Sequence, residues 1–188
     1  RSAAFQNLEI AKGSVNVLND LDLNGGEYFA ATVHRQENVD DEKRLRDIVE
    51  GLEKVRRSFG FELIYPVHPR ARRLLAEFGL DPSDVRLIEP LDYLSFLQLE
   101  SNARLVLTDS GGVQEEACIL GVPCVTLRDN TERPETLDAG SNALAGTNPD
   151  RIVECVKRML QKKRGWENPF GDGKAGIRIV EILRRELD

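Results

Sequence analysis

Apolar positions along the chain recur in two rhythms. Short runs rich in β-branched and aromatic residues predict strands at Glu27 to Val33, Glu62 to Val67, Val85 to Ile88, Arg104 to Thr108, Cys124 to Leu127 and, more weakly, Ala143 to Ala145. Between the first two, Leu45, Ile48, Val49, Leu52 and Val55 follow an i, i+3, i+4, i+7, i+10 stripe with charged residues opposite, which predicts an amphipathic crossover helix. Asn148 and Pro149 read as the cap and first turn of another helix, with Ile152, Val153, Val156 and Leu160 as its buried stripe. A helical lead-in is expected over residues 3–20 and a terminal helix over residues 174–187. The segment from Gly165 to Gly176, centred on Gly171, Asp172 and Gly173, reads as a loop that carries the last helix to a new location. Alternating strands and helices are the signature of βαβ units, so the expected class is α/β: a Rossmann-like parallel sheet with helices on both faces, in one domain over residues 1–188.

Composition supports that picture. With 40% hydrophobic and 31% charged residues, the 188-residue chain can bury a core of its own. A net charge of -6 argues against nucleic acid or a membrane as the main partner, while leaving room for a local basic patch that holds phosphates. Cys118, Cys124 and Cys155 fit no C-x-x-C spacing, so neither a disulfide framework nor a zinc site is expected, and a cytoplasmic setting fits best. No apolar run approaches the roughly 20 residues needed to span a bilayer. The chain opens at Arg1 and its one methionine is Met159, so a further segment is expected to precede it.

Candidate chemistry gathers where predicted strands end. Leu105 to Thr108 run into Asp109, Ser110, Gly111 and Gly112, after which a helix is expected from Val113 to Leu120. A strand, glycine turn and helix aim free N–H groups and the positive end of the helix dipole outward, which suits an anion; a plain strand-to-helix turn would look the same. Glu115 and Glu116 fall in the first turns of that helix, either as ligands for a ribose diol or as acids that favour the dipole, and Asp109 reads as an N-cap. His34, Arg35, Gln36, Glu37 and Asn38 follow the first strand, and His68, Pro69 and Arg70 follow the second. Both lie at the edge where open α/β sheets bind ligands, so imidazole and guanidinium from two strand ends are expected to meet in one crevice. The charged run from Arg128 to Glu135 reaches the same edge, as binding residues or as a solvated loop.

In order along the chain, Thr32 to Asn38, Tyr65 to Pro69, Pro90 to Phe96, Thr108 to Glu116 with Thr131 to Glu135, and Asn168 to Gly173 resemble the non-hydrolysing UDP-N-acetylglucosamine 2-epimerases. The resemblance implies one half of a glycosyltransferase-B-like fold, the C-terminal and nucleotide-binding half, whose N-terminal partner domain is absent from this chain. It implies that Ser110, Gly111 and Gly112 hold a diphosphate, Glu116 the ribose hydroxyls, and the segment containing Phe96 the uracil. His34 and Arg133 would lie near the diphosphate and sugar as catalytic residues, while Arg35, Glu37 and His68 match a regulatory UDP-N-acetylglucosamine site of bacterial members. No metal or organic cofactor is implied, the acid and base groups would come from the other domain, and the full-length protein is expected to be a homodimer. The competing readings are the donor-binding domain of a UDP-sugar glycosyltransferase, a hydrolysing epimerase, and a binding module without catalysis.

Overall fold

A computed structural model of the chain describes residues 3–187; Arg1, Ser2 and Asp188, at the ends of the expected lead-in and terminal elements, lie outside the described residues. Six strands, β1 (Tyr28–Thr32), β2 (Glu62–Pro66), β3 (Arg86–Ile88), β4 (Leu105–Thr108), β5 (Cys124–Thr126) and β6 (Asn142–Leu144), form one parallel sheet in the order β3-β2-β1-β4-β5-β6. The order reverses between β1 and β4, which creates a crevice at the carboxyl ends of those two strands. Each predicted run lands on a strand, trimmed by a residue or two. The sixth shifts by one residue, because Asn142 pairs with Cys124 in the ladder and accepts a 2.9 Å hydrogen bond from the Thr126 hydroxyl.

The helices are α1 (Ala3–Ser14), α2 (Val17–Asp20), α3 (Gln36–Val39), α4 (Glu42–Phe59), α5 (Pro69–Glu77), α6 (Tyr93–Ser101), α7 (Gly111–Leu120), α8 (Pro134–Asp138), α9 (Pro149–Gln161) and α10 (Ala175–Leu187). Strand side chains alternate between two cores. Phe29, Ala31, Leu63, Tyr65, Leu105 and Leu107 pack with α4, α5 and α9, whereas Tyr28, Ala30, Ile64, Val106 and Cys124 pack with α2, α6 and α7. The expected stripe of α4 is buried in full, and Asp41 caps the helix by accepting from the Arg44 N–H. α4 crosses α9 at Gly51, where a Cβ would come 2.6 Å from Ile152 Cδ1, so glycine is what allows the two helices to approach. In α9, Cys155 and Met159 occupy buried positions where Val153 and Leu160 were expected; residues 152, 155, 156 and 159 are the set that shares one face at 3.6 residues per turn.

The crevice is held by a buried carboxylate. Asp109 has no exposure and accepts from the His34 N–H (3.0 and 3.1 Å), the Arg35 N–H (2.9 Å) and Asn38 Nδ2 (3.1 Å). Asn38 Nδ2 also donates to the Leu127 carbonyl, and Asn38 Oδ1 accepts twice from Arg44, so the exits of β1, β4 and β5 are tied together. Asp109 is therefore not the cap of α7. That role falls to Ser110, whose hydroxyl lies 3.5 Å from the Val113 N–H, because Asp109 still belongs to the ladder through its own N–H to the Thr32 carbonyl.

A second buried carboxyl has no such support. Glu100 of α6 is fully buried and neither of its side-chain oxygens has a partner. Burial, and secondarily the charge of Glu116, hold its pKa well above the usual carboxylate range, which favours the protonated form.

Two measurements follow from these carboxyls. Asp109→Asn turns part of an acceptor into a donor facing donors, and stranding one of those N–H groups should cost about 3 kcal/mol of stability in urea unfolding; a loss within error of zero would show that the clamp is dispensable. For Glu100 the folded chain keeps a proton that the unfolded chain releases, so its contribution becomes unfavourable as pH rises above the ordinary glutamate range, with a slope approaching about 1.4 kcal/mol per pH unit. Glu100→Met should accordingly gain stability over the parent as pH rises from about 4.5 toward neutrality. A difference that does not change with pH would contradict the protonated assignment.

Candidate functional site

A cleft of about 290 Å³ opens at the carboxyl edge of the sheet, lined by Thr32, Val33, His34, Pro66, His68, Pro90, Leu91, Phe96 and Val113. The two imidazoles meet there as expected. His34 leaves β1 with its Nδ1 3.4 Å from Asp109 Oδ1, so the carboxylate that fixes the His34 backbone also borders its ring. His68 caps α5, its Nδ1 accepting from the Arg70 N–H at 3.3 Å, which leaves Nε2 as its free ring nitrogen. The Arg70 guanidinium does not join the crevice; it is turned to Asp40 in an exposed ion pair. The apolar residues form a slot between the second strand exit and the starts of α6 and α7.

α7 begins beside that slot. Its first N–H groups have no intrahelical acceptor, and the dipole places partial positive charge there. Gly111 is buried, and a Cβ on it would stand 3.1 Å from Glu132 Oε2, whereas a Cβ on the exposed Gly112 would meet only Ser110 Oγ at 3.8 Å. Gly111 thus lets the loop after β5 close over the turn, and Gly112 leaves the backbone open to a ligand. Glu116 lies one turn beyond Gly112 on the same helix face. It accepts from the Tyr93 hydroxyl at 2.8 Å, and burial raises its pKa against the opposing effect of that hydrogen bond.

The charged run after β5 is mostly exposed but is anchored by one buried cation. Arg128 is 6% exposed and donates through Nε to Glu37 at 2.6 Å and through Nη1 to both Glu132 oxygens at 2.8 Å. Burial works against its charge and the two carboxylates outweigh it, so its pKa is raised, while Arg128 holds Glu132 below the usual range. Arg35 Nη2 lies 3.6 Å from Glu132, and Arg35 Nε is buried without a partner. Arg133 donates to Glu115 at 2.9 Å and to the Glu132 carbonyl.

The structure therefore gathers His34, His68 and Phe96 in the cleft, sets Ser110, Gly111 and Gly112 at the start of α7 with Glu116 one turn beyond Gly112, and ties Arg35 and Glu37 into the network around Arg128 and Glu132. Arg133 pairs on the neighbouring face of α7. Sequence reasoning missed the anchoring role of Asp109, the burial of Arg128 and the Tyr93 to Glu116 contact. The available signals were an arginine directly after an apolar strand, and a tyrosine and a glutamate in the opening turns of successive helices. Among the described residues, no group of three or more His, Cys, Asp or Glu could hold a metal ion, and no helix is long and apolar enough to cross a membrane.

Comparison with known proteins gives this geometry a context. The profile of the family described as UDP-N-acetylglucosamine 2-epimerase matches residues 2–184. The UDP-N-acetylglucosamine 2-epimerase of Methanocaldococcus jannaschii is 51% identical over an alignment of 189 positions that covers 96% of this chain and 51% of that protein. The crystal structure of the Methanocaldococcus jannaschii enzyme in complex with UDP-GlcNAc and UDP superposes with a TM-score of 0.87 at 50% identity, over 97% of this chain and 52% of that one. Sucrose-phosphate synthase from Thermosynechococcus elongatus, 19% identical with a TM-score of 0.53 over 77% of this chain and 39% of that one, shares the fold alone. The chain spans about half the length of the curated relatives it matches, and its architecture is that of half a glycosyltransferase-B-like epimerase fold. With a profile running along nearly the whole sequence and half of all positions shared with a relative, this chain belongs to the UDP-N-acetylglucosamine 2-epimerase family.

Proposed function

We propose that the chain is the C-terminal, nucleotide-binding half of a non-hydrolysing epimerase that interconverts UDP-N-acetylglucosamine and UDP-N-acetylmannosamine. The observation that carries this reading is the continuity of three surfaces: an apolar slot at Phe96 and Leu91, a carboxylate at Glu116 held by Tyr93, and an open helix N-terminus at Gly112. They match a uracil ring, a ribose diol and a diphosphate in the order in which UDP presents them. Ser110, Gly111 and Gly112 receive the diphosphate, and His34 and Arg133 flank it toward the sugar.

In this reaction a base removes the proton at C2 of the sugar and the C1–O bond breaks. The electron pair of that bond departs with UDP, leaving a 2-acetamidoglucal. Re-addition of UDP, with a proton delivered to C2 from the opposite face, completes epimerisation. The part of this half is to hold the leaving diphosphate with preorganised N–H donors and positive charge, which stabilises it as the bond breaks. The C2 acid and base groups come from the other half, since Glu37 is engaged by Arg128, Asp109 is buried in its clamp and Glu116 is directed to the ribose. Arg35, Glu37 and His68 form the candidate regulatory contacts; His68 shares the cleft with His34, and Arg35 and Glu37 stand beside it in the Arg128 network.

The terminal helix supports a two-domain enzyme. None of the residues of α10 is buried, and Ile177, Ile179, Val180, Ile182, Leu183 and Leu187 leave more apolar surface in water than a single domain ordinarily tolerates. The other half of the protein is assigned as the surface that covers it. In this reading the full-length protein works in the cytoplasm as a homodimer.

Two experiments test the proposal. Glu116→Ala should weaken UDP binding to the chain by about 1 to 3 kcal/mol in calorimetry, the loss of a charged hydrogen-bond partner; equal affinity for the mutant and parent would remove Glu116 from the ribose. The 188-residue chain incubated with UDP-N-acetylglucosamine in deuterated water should leave the C2 hydrogen unexchanged, since one wall of a cleft supplies neither the base nor the closure that shields the sugar. Exchange at the rate of a full-length relative would show that the acid and base reside in this half.

A further inference from the structure

The opposite edge of the sheet carries a second charged cleft. Gly26 precedes β1, Arg104 precedes β4 and Pro123 precedes β5, and these three, with Lys162 and Arg164 beyond the end of α9, line a cavity of about 280 Å³. The strands separate it from the first cleft by roughly 13 Å, four residues of β4 at about 3.3 Å each.

Its charges are unbalanced. Among the described residues, no carboxylate forms an ion pair with Arg104, Lys162 or Arg164, whereas ten other arginines have one. The three side chains are positioned by other means. The Arg104 guanidinium lies 4.8 Å from the centroid of the Phe61 ring, Arg164 Nη2 donates to the Arg104 carbonyl at 2.9 Å, and Lys162 Nζ donates to the Gly140 carbonyl at 3.1 Å. Each uses one contact and keeps further N–H donors. The C-terminus of α9 contributes about half a negative charge, well short of three cations, and Arg104 belongs to a different element. Burial, and then the charge of Arg104, depress the pKa of Arg164, the response of a guanidinium brought near a like charge without a counterion.

We infer that this cleft at the amino edge of the sheet is an oxyanion site, built by Arg104, Lys162 and Arg164 for a small free anion of two or more charges such as phosphate or diphosphate. Two arginines and a lysine lining one cavity favour a multivalent oxyanion over chloride, since each added oxygen accepts another charge-assisted hydrogen bond.

The test is a titration of the isotopically labelled chain with inorganic pyrophosphate, followed by amide NMR. Saturable shifts are expected at Gly26, Arg104, Gly140 and Lys162, separable from any at Ser110 to Gly112, with inorganic phosphate giving the same pattern at lower affinity. Arg164→Gln and Lys162→Gln should each weaken the first set by about tenfold or more, the loss of one charge-assisted hydrogen bond, and leave the second set unchanged. Both residues are exposed, so the variants retain the fold. Equal shifts with sodium chloride at matched ionic strength, shifts confined to Ser110 to Gly112, or an affinity indifferent to both substitutions would overturn the assignment.

Discussion

The functional edge of this domain depends on one buried carboxylate. Asp109 lies at zero exposure and is balanced largely by dipoles, namely two backbone N–H groups of the loop after β1 and the amide of Asn38, with the His34 ring alongside. A charge in that position is tolerable only while those donors stay in place, which ties the loop bearing His34 and Arg35 to Asp109. The same constraint sets the start of α7. Because Asp109 is drawn toward β1, Ser110 becomes the cap, with Gly111 buried and Gly112 exposed in the first turn of α7. Local geometry at two strand exits is therefore a single cooperative arrangement, seeded by the reversal of strand order between β1 and β4.

Arg128 plays the complementary part. A nearly buried guanidinium gripping Glu37 and Glu132 fixes α3 against the loop after β5, and that loop in turn presses on Gly111. With Asp109 on one side and Arg128 on the other, the helix N-terminus is bracketed by opposite charges that are each satisfied within the protein. In the proposed function, an incoming diphosphate would meet donors that are already oriented, which is what electrostatic stabilisation of a leaving group requires. The two edges of the sheet also differ in kind. At the carboxyl edge Arg35, Arg70, Arg128 and Arg133 are paired with carboxylates, whereas Arg104, Lys162 and Arg164 at the amino edge have no such pair among the described residues.

Much of this was legible from the residues. Period-two and period-3.6 patterns are local properties, so the six strands, the α4 stripe and the cap at Asn148 could be read without knowing the fold. Histidines at two strand exits indicated the crevice, since strand ends in a parallel sheet share an edge whatever their order. The ordered motifs carried the family resemblance that the profile and the relatives bear out.

What the tertiary structure alone decided is the state of individual polar groups. An arginine such as Arg128 reads the same whether solvated or buried, and Glu37, 91 residues away in sequence, joins the nearby Glu132 in making it a structural cation. Asp109 looked like a cap because capping is the local use of an aspartate before a helix; its real partners lie 71 to 75 residues earlier. Arg70 left the crevice for Asp40, and Asn142 rather than Ala143 opened the last strand, each for a neighbour that sequence distance conceals. Hydrophobic periodicity follows from the geometry of one element and is written along the chain. The partner of a buried charge is chosen by which elements the fold brings together, and that is settled only when the sheet is assembled.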